Sequence, residues 1–140
     1  MRGLLELVLE VGDLDRAVHF YRDVLGMAEV TRWPDERPAV WVRLGENETL
    51  GLWPERSGGP GVAVHGGRGA RHCHFAVWVE PGSLDRWRDR LSGEGIEAES
   101  VDFQRGRSLF VDDPDGNVVE LADWGSDWED RPARKPLNPD

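Results

Sequence analysis

Three ionisable residues, Glu6, His74 and Glu120, stand where they could share one metal ion. One imidazole and two carboxylates leave coordination positions open, and such a donor set suits Fe(II), Mn(II), Ni(II) or Zn(II). The grouping rests on which way each side chain faces. Residues 4–11 read LLELVLEV, with Leu5, Leu7, Leu9 and Val11 on one face and Glu6, Val8 and Glu10 on the other. Residues 72–79 read HCHFAVWV. There Phe75, Val77 and Val79 form the apolar set, which leaves His72, His74, Ala76 and Trp78 opposite. In residues 118–122, Val119 and Leu121 join the apolar side, and Val118, Glu120 and Ala122 face away from it. A one-residue slip would reverse every assignment, so the apolar count on the helix side fixes the facing. A carboxylate such as Glu120 in an apolar cup needs a partner. That partner is either a metal or an inward arginine such as Arg43 or Arg107.

These strands need helices to lie on. Leu14, Ala17, Val18, Tyr21 and Leu25 make a helical stripe, Asp13 is placed to cap its start and Gly26 to end it. Three short strands follow near residues 28–31, 39–44 and 49–53, the last two joined by the turn Gly45-Glu46-Asn47-Glu48. The pattern then restarts. Ser83 is placed to cap a second helix carrying Leu84, Trp87 and Leu91, which ends at Gly93 or Gly95. Strands are expected near 97–102, 108–111 and 118–122, with a Pro114-Asp115-Gly116 turn before the last. Val11 matches Val79 at an offset of 68, Leu14-Asp15-Arg16 matches Leu84-Asp85-Arg86 at 70, and Gly51 matches Glu120 at 69. This is the mark of a duplicated half-domain. Glu6 is then the pseudo-equivalent of His74, and Gly51 of Glu120. The expected architecture is α+β: two tandem βαβββ modules forming a cupped, barrel-like eight-stranded site. A single domain would span 1–123, with module 1 over 4–54, a glycine-rich linker over 55–70 and module 2 over 71–123. An acidic, proline-containing extension would occupy 124–140.

Charge and composition narrow the partners. The net charge of −10 over 140 residues repels phosphate backbones, so no nucleic acid is expected. No apolar run approaches the roughly 20 residues that span a membrane, so no membrane partner is expected either. The single cysteine, Cys73, excludes an internal disulfide. Glu6 interrupts the apolar run that a secretory signal would need. Together these point to the cytoplasm. Seven tryptophans are many for this length. Trp33, Trp41, Trp53 and Trp78 fall in or beside the strands. Trp41, Trp53 and Trp78, with His72, are candidates for the wall of a pocket for a flat or apolar ligand.

Three strings together resemble a known family. They are residues 11–26 (VGDLDRAVHFYRDVLG), residues 74–77 (HFAV) and residues 110–121 (FVDDPDGNVVEL). The sequence is similar, over roughly residues 4–123, to the vicinal oxygen chelate superfamily of glyoxalase I, bleomycin-resistance, fosfomycin-resistance and extradiol-dioxygenase proteins. The resemblance implies the glyoxalase/bleomycin-resistance/dihydroxybiphenyl dioxygenase-like fold and metal ligands on the first, fourth, fifth and eighth strands. Those positions are Glu6, Gly51, His74 and Glu120. Gly51 has no donor, which argues against a four-ligand glyoxalase I-like site and leaves three-ligand types open. The implied protein is a homodimer and a divalent-metal-dependent lyase, isomerase or dioxygenase. Its metal would act as a Lewis acid on a small substrate bearing vicinal oxygens, with Glu120 in a catalytic role. The alternative is a metal-free protein of the bleomycin-resistance type, without any cofactor, that sequesters an aromatic antibiotic or metabolite between tryptophans.

Overall fold

The computed structural model describes residues 4–34, 36, 38–55, 74–103 and 106–124. Strand β1 (Glu6–Val11) leads through Gly12 and Asp13 into α1 (Leu14–Val18). Asp13 is extended and its side chain accepts from Arg16 N, so it satisfies a donor the first turn cannot. The helix then widens to a π-helical turn over His19–Val24, which the apolar spacing did not foretell. It stops at Gly26, whose φ of 74° lets Met27 N fold back onto Tyr21 O. Next come β2 (Glu29–Trp33), β3 (Ala39–Arg43) and β4 (Thr49–Pro54). The second half repeats the order with β5 (His74–Trp78), α2 (Leu84–Gly93), β6 (Ala98–Phe103), β7 (Gly106–Asp112) and β8 (Val118–Trp124).

Each half folds into a four-stranded mixed sheet. The strand orders are β1-β4-β3-β2 and β5-β8-β7-β6, with the outer pairs β1/β4 and β5/β8 parallel. The register repeats as well as the order. Val8 faces Gly51 and Trp41 faces Gly51 in the first sheet. Ala76 faces Glu120 and Phe110 faces Glu120 in the second. The offsets of 68 and 69 read from the sequence are therefore offsets of position on two equivalent lattices. The two sheets are cupped and do not close into a barrel.

One face of each sheet is covered by its helix. Val11, Val40, Val42, Leu50 and Leu52 pack with Ala17, Val18 and Tyr21. Leu84 and Leu91 pack with Leu109, Val111, Val119 and Leu121, and one continuous core joins the halves. Leu5 differs from the expected leucine face. It lies before β1 and is exposed, because the helix-covered part of the strand begins at Leu7. Ser83 precedes α2 as expected, but its hydroxyl makes no capping bond, because its backbone is already helical. Its Oγ is buried with no hydrogen-bond partner among the described residues.

The halves are tied by the turn before β8. Asp113 is 4% exposed, and its carboxylate accepts from Tyr21 OH at 2.7 Å, Asn117 N at 2.7 Å, Asn117 Nδ2 at 2.9 Å and Asp115 N at 2.9 Å. Burial, with Asp113 and Asp115 beside it, pushes the Tyr21 phenol far above its ordinary range. Gly12 N donates to Asp115 Oδ1 at 2.9 Å, and Arg16 Nη2 to Pro114 O at 2.7 Å. Two of the strings noted in the sequence thus meet each other: the first helix grips the turn that launches β8 towards Glu120.

Candidate functional site

The opposite faces of the sheets are open, and they carry the candidate residues. On the second sheet, His74 Nε2 lies 2.9 Å from Glu120 Oε2. Glu120 is 4% exposed and His74 keeps 27% of its side chain accessible. The other carboxylate oxygen, Oε1, accepts from Ser108 Oγ at 2.7 Å. Phe110, directly across from Glu120, meets the His74 ring edge-on at 5.5 Å. The arginine partner considered for Glu120 is corrected by the register. Arg107 alternates with Ser108, so it turns to the helix side, where it reaches Asp85 at 3.3 Å. Ser108 takes the inward place, and Arg43 stands exposed on the other sheet. Ser108 was not singled out from the sequence. Its parity with Phe110 on β7, two residues away, is the signal that places it on the open face.

On the first sheet the equivalent positions look different. Glu6 Oε1 accepts from the Trp41 indole Nε1. A Cβ added at Gly51 would sit 2.6 Å from that same Glu6 oxygen, 3.1 Å from Trp41 Nε1 and 3.3 Å from Trp53 Nε1. The space a fourth-strand side chain would fill is thus taken by a carboxylate and the edges of two indoles. Trp33 completes a cluster with them. Its ring centroid is 5.1 Å from Trp41 and 5.3 Å from Trp53, and Trp41 and Trp53 are 5.4 Å apart at 82°. Trp33 joins Trp41 because Thr31 pairs with Trp41 and Trp33 with Ala39, on the same face.

Trp78 stands on β5 of the second sheet, on the face of His74, and is 58% exposed. The structure therefore clusters Trp41 and Trp53 with Trp33 on the first sheet, and places Trp78 on the other. His72 lies outside the described residues, as do residues 56–70 of the linker and the extension beyond Trp124.

A metal can be tested against these groups. His74 Nε2 and Glu120 Oε2 are the atoms through which an imidazole and a carboxylate bind cations, and they already converge. Ser108 orients the carboxylate from its far side, as a supporting hydrogen bond to a ligand does. Two donors of the expected three therefore fit. Glu6 belongs to the other sheet, and among the described residues no three of His, Cys, Asp and Glu come together within the chain. No helix among the described residues is long and apolar enough to cross a membrane.

Comparison with known proteins agrees with this fold. Residues 3–121 match the model of the Glyoxalase/Bleomycin resistance protein/Dioxygenase superfamily. The chain is 31% identical over 125 residues to a lactoylglutathione lyase of Salmonella typhimurium, covering 86% of this chain and 91% of that protein. It is 32% identical over 135 residues to the lactoylglutathione lyase GLX1 of Arabidopsis thaliana, covering 89% of this chain but only 45% of that longer protein. The crystal structure of a lactoylglutathione lyase from Agrobacterium tumefaciens superposes with a TM-score of 0.68 at 25% identity, over 87% of this chain and 93% of that one.

Proposed function

The chain belongs to the glyoxalase/bleomycin resistance protein/dioxygenase superfamily, and from that premise we propose that it is a divalent-metal-dependent enzyme of the lyase, isomerase or dioxygenase type. Its substrate is a small molecule with vicinal oxygens. The observation that carries this reading is the His74–Glu120 pair, held at 2.9 Å with Ser108 fixing the free carboxylate oxygen. Glu6 is the third ligand. A divalent ion held by these residues would supply Lewis-acid stabilisation of negative charge developing on the substrate's oxygens. With such an ion held there, the Glu120 carboxylate would be the group that accepts or returns a proton.

Glu6 must reach this pair from somewhere. The open faces leave Val8 48%, Trp33 41%, Trp78 58% and Phe103 39% exposed in a single chain. We propose a homodimer in which a second copy covers these faces and brings its own Glu6 to His74 and Glu120. The single cysteine fits a cytoplasmic protein.

One experiment tests ligand set and assembly together. Protein purified without a nickel column should hold metal by elemental analysis, and His74→Ala and Glu6→Gln should each lose it. When the two variants are co-expressed and the mixed dimer isolated, one intact site re-forms and up to half the metal returns. Full metal in both single variants sinks the site. No recovery in the mixed dimer sinks the shared arrangement.

The first sheet favours a second reading. Its three clustered tryptophans beside Glu6 suit a metal-free protein that sequesters an aromatic molecule. Metal-free preparations that bind an aromatic ligand unchanged would select it.

A further inference from the structure

On the preceding reading Glu6 is a metal ligand, and the first sheet shows what holds its carboxylate in the free chain. Glu6 stands on β1 beside Thr49 of β4, whereas Trp41 stands on β3 beside Gly51 of β4. Their side chains meet diagonally above β4, where the indole Nε1 donates to Glu6 Oε1. Only a glycine at 51 leaves that path clear, because a Cβ there would lie 2.6 Å from the carboxylate oxygen and 3.1 Å from the indole nitrogen. The indole offers a donor and no acceptor, so it serves an acidic oxygen and nothing else. The donor is itself held, with the Trp41 ring against Trp33 at 5.1 Å and Trp53 at 5.4 Å. Among the described residues Glu6 Oε2 makes no hydrogen bond or ion pair.

Glu120 on the second sheet is arranged in the same way. Ser108 Oγ donates to its Oε1 at 2.7 Å, which leaves Oε2 beside His74 Nε2 at 2.9 Å. Each acid has one oxygen tied to a donor on the third strand of its own module and one oxygen left over. The two donors are not copies of one position. Trp41 corresponds to Phe110, which faces Glu120 as Trp41 faces Gly51. A glutamate side chain loses rotamer freedom when a ligand fixes it. A donor that fixes it beforehand lowers that cost.

We propose that Trp41 is a positioning residue for the metal site: its indole N–H fixes Glu6 Oε1 and leaves Oε2 for the cation, as Ser108 does for Glu120. Ligand and donor lie on one sheet, so whichever copy supplies Glu6 supplies Trp41 with it.

The test removes the donor and keeps the ring. Full-length protein with Trp41 replaced by 3-benzothienylalanine has sulfur where the indole N–H stood, and protein with 5-fluorotryptophan at the same position keeps the donor. Zn(II) is the probe, its affinity read by chelator competition on metal-stripped protein, with melting temperature confirming that each form folds. The benzothienyl protein should bind Zn(II) about 10–100-fold more weakly than the parent, and the fluorotryptophan protein should bind as the parent does. The parent gives a second readout. With 15N-labelled tryptophan, Zn(II) should move the Trp41 indole resonance, which is identified by its absence from the benzothienyl protein. Unchanged or tighter binding without the N–H, equal weakening by both replacements, or a Trp41 resonance indifferent to Zn(II) would overturn the proposal. If the parent's Zn(II) depends on His74 but not on the N–H, the role of Trp41 fails alone. If the parent binds no Zn(II), or keeps it in His74→Ala, the metal reading fails and takes this role with it.

Discussion

Where the second sheet carries Glu120, the first carries Gly51, and the neighbours of each position have changed to match. Around Glu120 stand His74, Ser108 and Phe110. Around Gly51 stand Glu6, Trp41 and Trp53. The strand order, the parallel outer pair and the register across the key position are the same in both. A shared lattice with different side chains means that the backbone sets where chemistry can occur and not which chemistry it is. The second sheet keeps a buried acid with an imidazole and a hydroxyl on its two oxygens. The first has a glycine at the matching position, and a carboxylate and the edges of two indoles occupy the space beside it.

The contrast is broken most directly by returning a side chain to the empty position. Gly51→Ala places a Cβ 2.6 Å from Glu6 Oε1 and within 3.3 Å of both indole nitrogens. The Glu6 carboxylate can swing aside, because it is the end of a flexible chain, but the rings must then shift within their own cluster. A loss of about 1–3 kcal/mol is expected, with a change in tryptophan emission as the cluster opens. Denaturant unfolding followed by fluorescence reads both. A variant as stable as the parent, with unchanged emission, would show that the indoles are not packed into the glycine's space.

A smaller effect is expected at the joint between the modules. Tyr21→Phe removes one of the four donors to the buried Asp113 carboxylate and leaves the backbone and Asn117 donors in place. With three donors kept, the cost at neutral pH is about 1 kcal/mol, the low end for a buried hydrogen bond. The pH dependence has a definite sign. The folded phenol is held above its ordinary value of 10.0 by burial and by Asp113. The unfolded chain therefore loses its proton first as pH rises, and the stability linked to this group is intact below 10.0 and falls above it. Tyr21 is the only tyrosine, so absorbance titration of phenolate reads this group alone. Ionisation near 10 in the folded protein, or the same alkaline fall in Tyr21→Phe, counts against the joint.

Much of this was legible beforehand, for reasons of period and repeat. Alternation fixed the facing of Glu6, His74 and Glu120 because one face of each strand had to cover a helix. The offsets of 68 and 69 carried the register because a duplicated sheet repeats its pairing. What escaped the reading depends on contacts between elements. Ser108 looks like any strand serine until β7 is laid beside β8, and Arg107 was as good a partner for Glu120 until its parity was known. The widened turn over His19–Val24 leaves no mark in an apolar stripe that 3.6-residue spacing already satisfies. The tie from Tyr21 to Asp113 spans 92 positions, and neither residue hints at the other.

The least effect is expected from the charges on the surface of the first helix, which have no equivalent in the chemistry of either sheet. Asp23 accepts from Arg22 Nε at 2.7 Å, Arg22 Nη2 at 2.9 Å and His19 Nδ1 at 3.1 Å. Hydrogen bonds from Arg22, then His19, hold its carboxyl down to about 2. Glu29, bonded first by Arg32 and then by Arg22, is also held below its ordinary value. A depressed carboxylate contributes stability above its unfolded value, here 3.8, and loses it as pH falls towards 2. All of these side chains are in water, where screening leaves an exposed pair little to contribute. Asp23→Asn should therefore move the melting temperature by at most roughly 2 °C at neutral pH. Its effect should shrink further below the ordinary carboxylate value, where parent and variant converge, and also with added salt. A large loss at neutral pH, unchanged by salt, would mean that this corner carries a structural role comparable to the buried tie at Asp113, and the ranking of the joint above the surface would have to be reversed.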